Sequence, residues 1–203
     1  ETLDSHTLPP PTYDAAALSR TSTPVVVQVV ASTPGSAVYD AVLKAPRCSG
    51  PGSSCDSGTL LVGCGTRGPE PNQPNTIADS CADGTLGRFH VRESIDRVVV
   101  RTVDATQMSP GKVVRVDVTL WGFSPGFTST LDVYYTATAA SPAWIYAGSV
   151  QSGKVGSHVV TLNYTLPSGP LQAVRARYRT RGESTPCGVG DFTDHDDLVF
   201  TVQ

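Results

Sequence analysis

The chain is poor in the features that announce most functional classes. Only 16% of its residues are charged, and Lys+Arg 15 against Asp+Glu 18 leaves a formal net charge of −3. No basic surplus offers a footprint for nucleic acid, and none is expected as a partner. No apolar run approaches the roughly 18 residues a membrane-spanning helix needs, so no membrane span is expected. The five cysteines, at 48, 55, 64, 81 and 187, contain no C-x-x-C pair, which argues against a zinc ribbon or a thioredoxin-type site. There is a single Met, and no segment keeps an amphipathic helical period. What is abundant is 19 Gly and 16 Pro among many Thr, Ser and Val. That is the make-up of a secreted, extracellular or cell-surface β-rich protein, with disulfides formed in an oxidising compartment. The start at Glu1, without a charged-then-apolar leader, reads as a mature or excised product.

Residues 1–24 hold three consecutive prolines and no periodicity, and read as a Pro-rich linker or leader. Residues 25–203 read as one β-sandwich domain. Strands are expected at "VVVQVV" (25–30) and "AVYDAVLKA" (37–45). From Arg47 to Gly87 the chain is loop-rich and carries four of the five cysteines, so the long loop region is expected to be pinned by cross-links. Beyond it, "DRVVVRTV", "KVVRVDVTLWGF", "STLDVYYTATA", "AWIYAGSV", "SHVVTLNYTL", "LQAVRARYRT" and "DLVFTV" recur between Gly/Pro/Ser turns. Short strands at this spacing predict an all-β, antiparallel, jelly-roll-like β-sandwich with Trp121, Tyr134, Trp144, Tyr164 and Phe200 as core aromatics. The arginines of "VRARYRTR" alternate with smaller residues and read as a solvated sheet face, or as a site for an anionic glycan.

Catalytic motifs are fragmentary. Asp56-Ser57-Gly58 resembles part of a serine-protease nucleophile loop, but Cys55 and Thr59 replace the flanking glycines, and none of the four histidines sits in a sequence that marks a base. Cys48 and Cys55 bracket the turn formers "SGPGSS", so a disulfide-bounded loop explains the same letters. "GSVQSGK" (148–154) has phosphate-loop spacing, yet Val155 stands where Ser or Thr would hold magnesium and no helix follows. "NYT" makes Asn163 an N-glycosylation sequon, usable if it points outward.

The densest chemistry is "GDFTDHDDLVF" (190–200), where Asp191, Asp194, Asp196 and Asp197 crowd just before the last strand. A second acidic set, Asp79, Asp83, Glu93 and Asp96, flanks the first long strand. If the first and last strands lie together, the sets meet, and hard oxygen ligands select calcium. The expected ligands are Asp194, Asp196 and Asp197 with Asp83 and Glu93. The alternative is that these side chains cap turns or pair with Arg88, Arg92 and Arg97. His195 reads as a surface residue of the same loop.

The stretches "CSGPGSSCDSGTLLVG", "GPEPNQPNTIADSCADGT", "ESIDRVVVRT", "LDVYYTA", "LPSGPLQAVRARYR" and "DHDDLVF" together resemble an accessory β-sandwich module. It is found at the C-terminal ends of secreted metallopeptidases and other exported proteins of Gram-negative bacteria. The resemblance covers roughly residues 37–203 and implies a non-catalytic module beside a catalytic or surface domain. In that module an arginine commonly stands at the position of Cys64. The resemblance therefore implies Cys64 as the unpaired thiol, Cys48–Cys55 as a local loop and Cys81–Cys187 as a long-range staple. A loop of that length corresponds to roughly 4–5 kcal/mol on the chain-entropy argument. Two functions compete. One is a non-catalytic extracellular binding, adhesion or structural module, stabilised by calcium, with a polysaccharide, a cell-surface glycan or neighbouring subunits as partner. The other is a jelly-roll hydrolase or lyase using His195 with Asp194 or Asp196.

Overall fold

The computed structural model describes residues 35–65, 68–123 and 128–203. The Pro-rich segment 1–24 and the strand expected at 25–30 lie outside them. The described chain holds ten strands: β1 (Val38–Asp40), β2 (Ala45–Pro51), β3 (Ser54–Asp56), β4 (Ser94–Thr102), β5 (Val113–Gly122), β6 (Ser129–Thr136), β7 (Ile145–Ser152), β8 (Gly156–Thr165), β9 (Leu171–Arg179) and β10 (Asp194–Thr201). A 3-10 turn spans Ile77–Asp79. The expected all-β antiparallel sandwich is what the chain forms: a six-stranded sheet, β1-β2-β10-β9-β6-β7, packs on a four-stranded one, β3-β4-β5-β8. The chain changes sheet after β2, β5, β7 and β8. Among two-sheet sandwiches, this order is nearest to the Greek-key connectivity of the immunoglobulin type.

Alternation builds the core. Val98, Val100, Val116, Val118 and Leu120 of one sheet meet Leu131, Val133, Val174, Leu198 and Phe200 of the other, all essentially buried. A smaller cluster of Ala45, Ile77, Ala139, Ala173 and Val199 lies on the outer face of the six-stranded sheet. Tyr164 and Phe200 enter the main core and Trp144 packs against the smaller cluster. Trp121, expected in the core, instead stacks on His90 at 4.2 Å between ring centroids, because its neighbour Leu120 takes the inward position.

Local chemistry redraws three expectations. The strand expected over 37–45 is a β1–β2 hairpin, because Asp40 Oδ1 accepts the Val42 and Leu43 amides and Lys44 takes a φ of 63°. The last strand starts at Asp194, so Asp194, Asp196 and Asp197 lie within β10, and of the four only Asp191 lies in the turn before it. The arginine stripe is solvated only at its end, where Arg181 is exposed. Arg175 and Arg177 are each 1% exposed, because the segments around residues 77–83 and 181–190 fold across that face. Cys81–Cys187 joins those two segments, Cys48–Cys55 closes the β2–β3 turn, and Cys64 is a buried free thiol.

Candidate metal centre

Strand alternation divides the run Asp194–Asp197 between the two faces of its sheet. Asp194 and Asp196 share the inward face with Leu198 and Phe200; His195 and Asp197 share the outward face with Val199. On the outward face, Asp197 is fully committed. Arg175 Nε donates to its Oδ1 at 2.7 Å, Arg175 Nη2 donates to its Oδ2 at 2.8 Å, and the Ile77 amide donates to Oδ2 at 2.7 Å. Arg175 also stacks over Trp144, 4.3 Å from its centroid. Asp197, expected as a calcium ligand, is therefore the anchor of a buried fork.

On the inward face the chemistry reverses. Residues 57–65 fold back over the start of β4 and β10, pinned by a bridge between Gly63 and Ile95 and by Cys64 against the Thr193 carbonyl, and Glu70 lies close to Asp194. Asp83 arrives from the segment that follows Cys81. Gly84 N donates to the Thr193 carbonyl at 2.6 Å, and the His195 amide donates to Asp83 Oδ1 at 3.0 Å. Oxygen atoms of Glu70, Asp83 and Asp194 lie within 4.8 Å of one another. Asp196, buried on the same face, feels the charges of all three. Glu70, Asp194 and Asp196 are buried, and Asp83 is half-buried.

Backbone donors orient these groups: the Ile95 amide donates to Asp194 Oδ2, and the Gly65 amide to Glu70 Oε2 at 2.8 Å. The Asn75 side-chain amide donates to Glu70 Oε1. Asp83 Oδ2, Asp194 Oδ1 and both oxygens of Asp196 are buried and receive no donor. Among the described residues no basic side chain forms an ion pair with any of the four. Burial first, and then mutual repulsion, raises the pKa values of Asp83 (to about 8), Asp194 and Asp196. Glu70 is raised by burial, against the opposing hydrogen bond from Asn75. The thiol of Cys64 sits beside them and is raised by burial and by the same carboxylates.

No family model matches the chain, and no curated protein matches it. What the centre does must therefore be read from its own geometry.

The donor set fits a hard cation. Calcium takes about six to eight oxygen ligands and tolerates irregular geometry. Here three carboxyls converge with Asp196 beside them, each with unused acceptor capacity, and amides behind them fix their orientation as outer-shell partners do. Of the expected ligands, Asp83, Asp194 and Asp196 come together. Glu93 does not: it is buried elsewhere and accepts the Ser129 hydroxyl at 3.1 Å. Asp96 instead takes the Ser94 hydroxyl and the His90 ring. Glu70 is the member of the cluster that sequence reasoning missed. Its one signal was a carboxylate among prolines and asparagines in "GPEPNQPN", far in sequence from either acidic run.

The catalytic candidates are placed elsewhere. His195 is 1% exposed on the face opposite Asp194 and Asp196, not on the surface as expected. Burial, with Arg177 and Arg175 nearby, lowers its pKa to about 3. Ser57 is buried, and its Oγ accepts the Val98 amide at 2.9 Å while its own amide donates to the Val98 carbonyl at 3.0 Å. Its hydroxyl extends the β3–β4 ladder. Asn163 is exposed on the outer face of β8, an edge strand, so the sequon is sterically accessible.

Proposed function

We propose that the chain is a non-catalytic extracellular β-sandwich module that binds a polysaccharide or cell-surface glycan, or packs against neighbouring subunits, with one end clamped by calcium. The observation that carries the clamp is the cluster of Glu70, Asp83 and Asp194, with Asp196 beside it on the same face, among which four carboxyl oxygens lack any donor. Such oxygens, out of water and unpaired, cost several kcal/mol as charges unless a cation or protons neutralise them. The residues Glu70, Asp83, Asp194 and Asp196 would hold the ion, which supplies charge neutralisation and cross-links three segments remote in sequence. Two disulfides suit an oxidising compartment, and no described helix is long and apolar enough to cross a membrane. The accessory-module resemblance supports the same reading. Against the hydrolase alternative stand His195, turned away from both aspartates, and Ser57, engaged by the Val98 amide.

Thermal unfolding with millimolar calcium and with a chelator tests the clamp. A ligand binding only the folded form adds about 2.7 kcal/mol at a hundredfold excess over Kd. For a chain of this size each kcal/mol moves Tm by roughly 2–4 °C, so a rise of about 5–11 °C is expected. Superimposable curves would return the aspartates to a protonated or purely structural role.

A further inference from the structure

A second site lies at the same end of the sandwich, outside the acidic centre. Between the segment 86–93 and the β9–β10 loop runs a cleft of about 490 Å³, lined by Arg92, Glu93, Thr180, Arg181, Asp191 and Phe192 among others. That volume is within the range of small-molecule sites. Arg92 is its distinctive group. Its guanidinium carbon lies 4.0 Å from the centroid of the Phe123 ring and 4.8 Å from that of Phe192. Behind it, Gly87 at a φ of 110° presses its backbone so close that an added Cβ would meet the Arg92 Cβ and Cγ at 2.9 Å. Stem and head are thus held in place before any ligand arrives, which reduces the ordering cost of binding.

Aromatic rings engage the faces of a guanidinium and leave its edge N–H groups free. Arg92 is half-buried, yet it takes part in no ion pair among the described residues. The other half-buried or buried arginines of the described chain, such as Arg175, Arg177 and Arg179, are each paired with an aspartate. A fixed, unpaired fork is complementary to a carboxylate, which it can bind bidentately. The remaining polar groups ask for something different. Asp191 is exposed at the rim. An exposed carboxylate accepts hydrogen bonds from ligand hydroxyls. A molecule that is both acidic and rich in hydroxyls satisfies both halves. The cleft is walled by loops and not by an open strand, since β9 and β10 are interior to their sheet. It therefore offers no ladder of backbone groups for an extended peptide to join.

From this geometry we infer that the cleft binds a short acidic saccharide of the uronate class, its carboxylate held by Arg92 and its hydroxyls by the rim. The inference rests on the binding-module reading and names the ligand class for it. Titration calorimetry with an oligogalacturonate and with its methyl ester tests it, on the native protein and on Arg92→Gln and Arg92→Lys. The acid binds, and esterification and Arg92→Gln each weaken binding by about tenfold or more; Arg92→Lys keeps the charge without the fork and recovers only part. Unchanged binding of the acid by Arg92→Gln, with an unaltered unfolding midpoint, overturns the cleft and leaves the binding-module reading standing. Equal affinity for acid and ester overturns the carboxylate's role, and this arm needs no variant. No binding of any acidic or neutral oligosaccharide overturns both. A glutamate-rich peptide that binds more tightly than the saccharide, and loses its affinity in Arg92→Gln, overturns the ligand class.

Discussion

Asp197→Ala separates two roles that neighbouring aspartates play. In the native chain Arg175 grips Asp197 through two hydrogen bonds of 2.7 and 2.8 Å, with the side chains 1% and 0% exposed. Removing the carboxylate leaves a guanidinium buried beneath the Cys81–Cys187 segments, with no countercharge and with Ser80, the Pro186 carbonyl, the cystine sulfur of Cys81 and the Trp144 ring for company. It also strips the Ile77 amide of its acceptor. Breaking one partner of a buried pair costs about 3–5 kcal/mol. At roughly 2–4 °C per kcal/mol, Tm should fall by about 6–20 °C. The loss should be the same with calcium and with chelator, because Asp197 points away from the acidic centre. Asp196→Asn should do the opposite, abolishing the calcium-dependent rise in Tm while improving, or leaving unchanged, the stability measured in chelator. Differential scanning calorimetry of both variants in both buffers checks the pair. If Asp197→Ala erased the calcium increment and Asp196→Asn kept it, the assignment of the two faces of β10 would be refuted.

Three further outcomes are expected. Ser57→Ala removes the acceptor of the buried Val98 amide and should cost about 1–3 kcal/mol in denaturant unfolding, not the near-zero effect of a surface loop substitution; the native protein should not react with a fluorophosphonate serine probe. The double variant Cys81→Ser/Cys187→Ser frees the segment that delivers Asp83, so calorimetric calcium affinity should drop by at least tenfold even where the protein stays folded; equal affinity would show that the staple does not position Asp83. Cys64→Arg places a guanidinium beside the four carboxyls, and its unfolding should become independent of calcium, read by comparing midpoints in calcium and chelator.

The alternating valines and short turns made the strands legible, and all seven strands expected from "DRVVVRTV" onward exist within a few residues of their expected ends. Less legible was which side of a sheet loops would cover. The period-two pattern of "VRARYRT" says that arginines share a face, but not that segments near residues 80 and 186 would roof it and convert a solvated stripe into buried ion pairs. The acidic centre was half legible for the same reason. Asp194 and Asp196 were visible as excess charge, and Asp83 as a carboxylate beside a cysteine. Glu70 carried no periodic or spacing signal, and the structure alone places it close to Asp194. Treating the aspartates as a turn hid the alternation that sorts Asp196 from Asp197; extending β10 back to Asp194 supplies it.

The division of β10 between two faces has a consequence for how the chain finds its final arrangement. A shift of the strand by one residue against β9 would exchange the faces wholesale. His195 and Asp197 would turn inward, Asp194 and Asp196 would meet Arg175 and Arg177, and Leu198 and Phe200 would leave the interior. In the native register Asp197 sits opposite Arg175 and Leu198 opposite Val174. Hydrophobic burial and charge pairing thus reject the same misalignment independently. The acidic residues of this strand act as an alignment mark, and a cation that recognises them can bind only a chain whose last strand has already been laid down correctly.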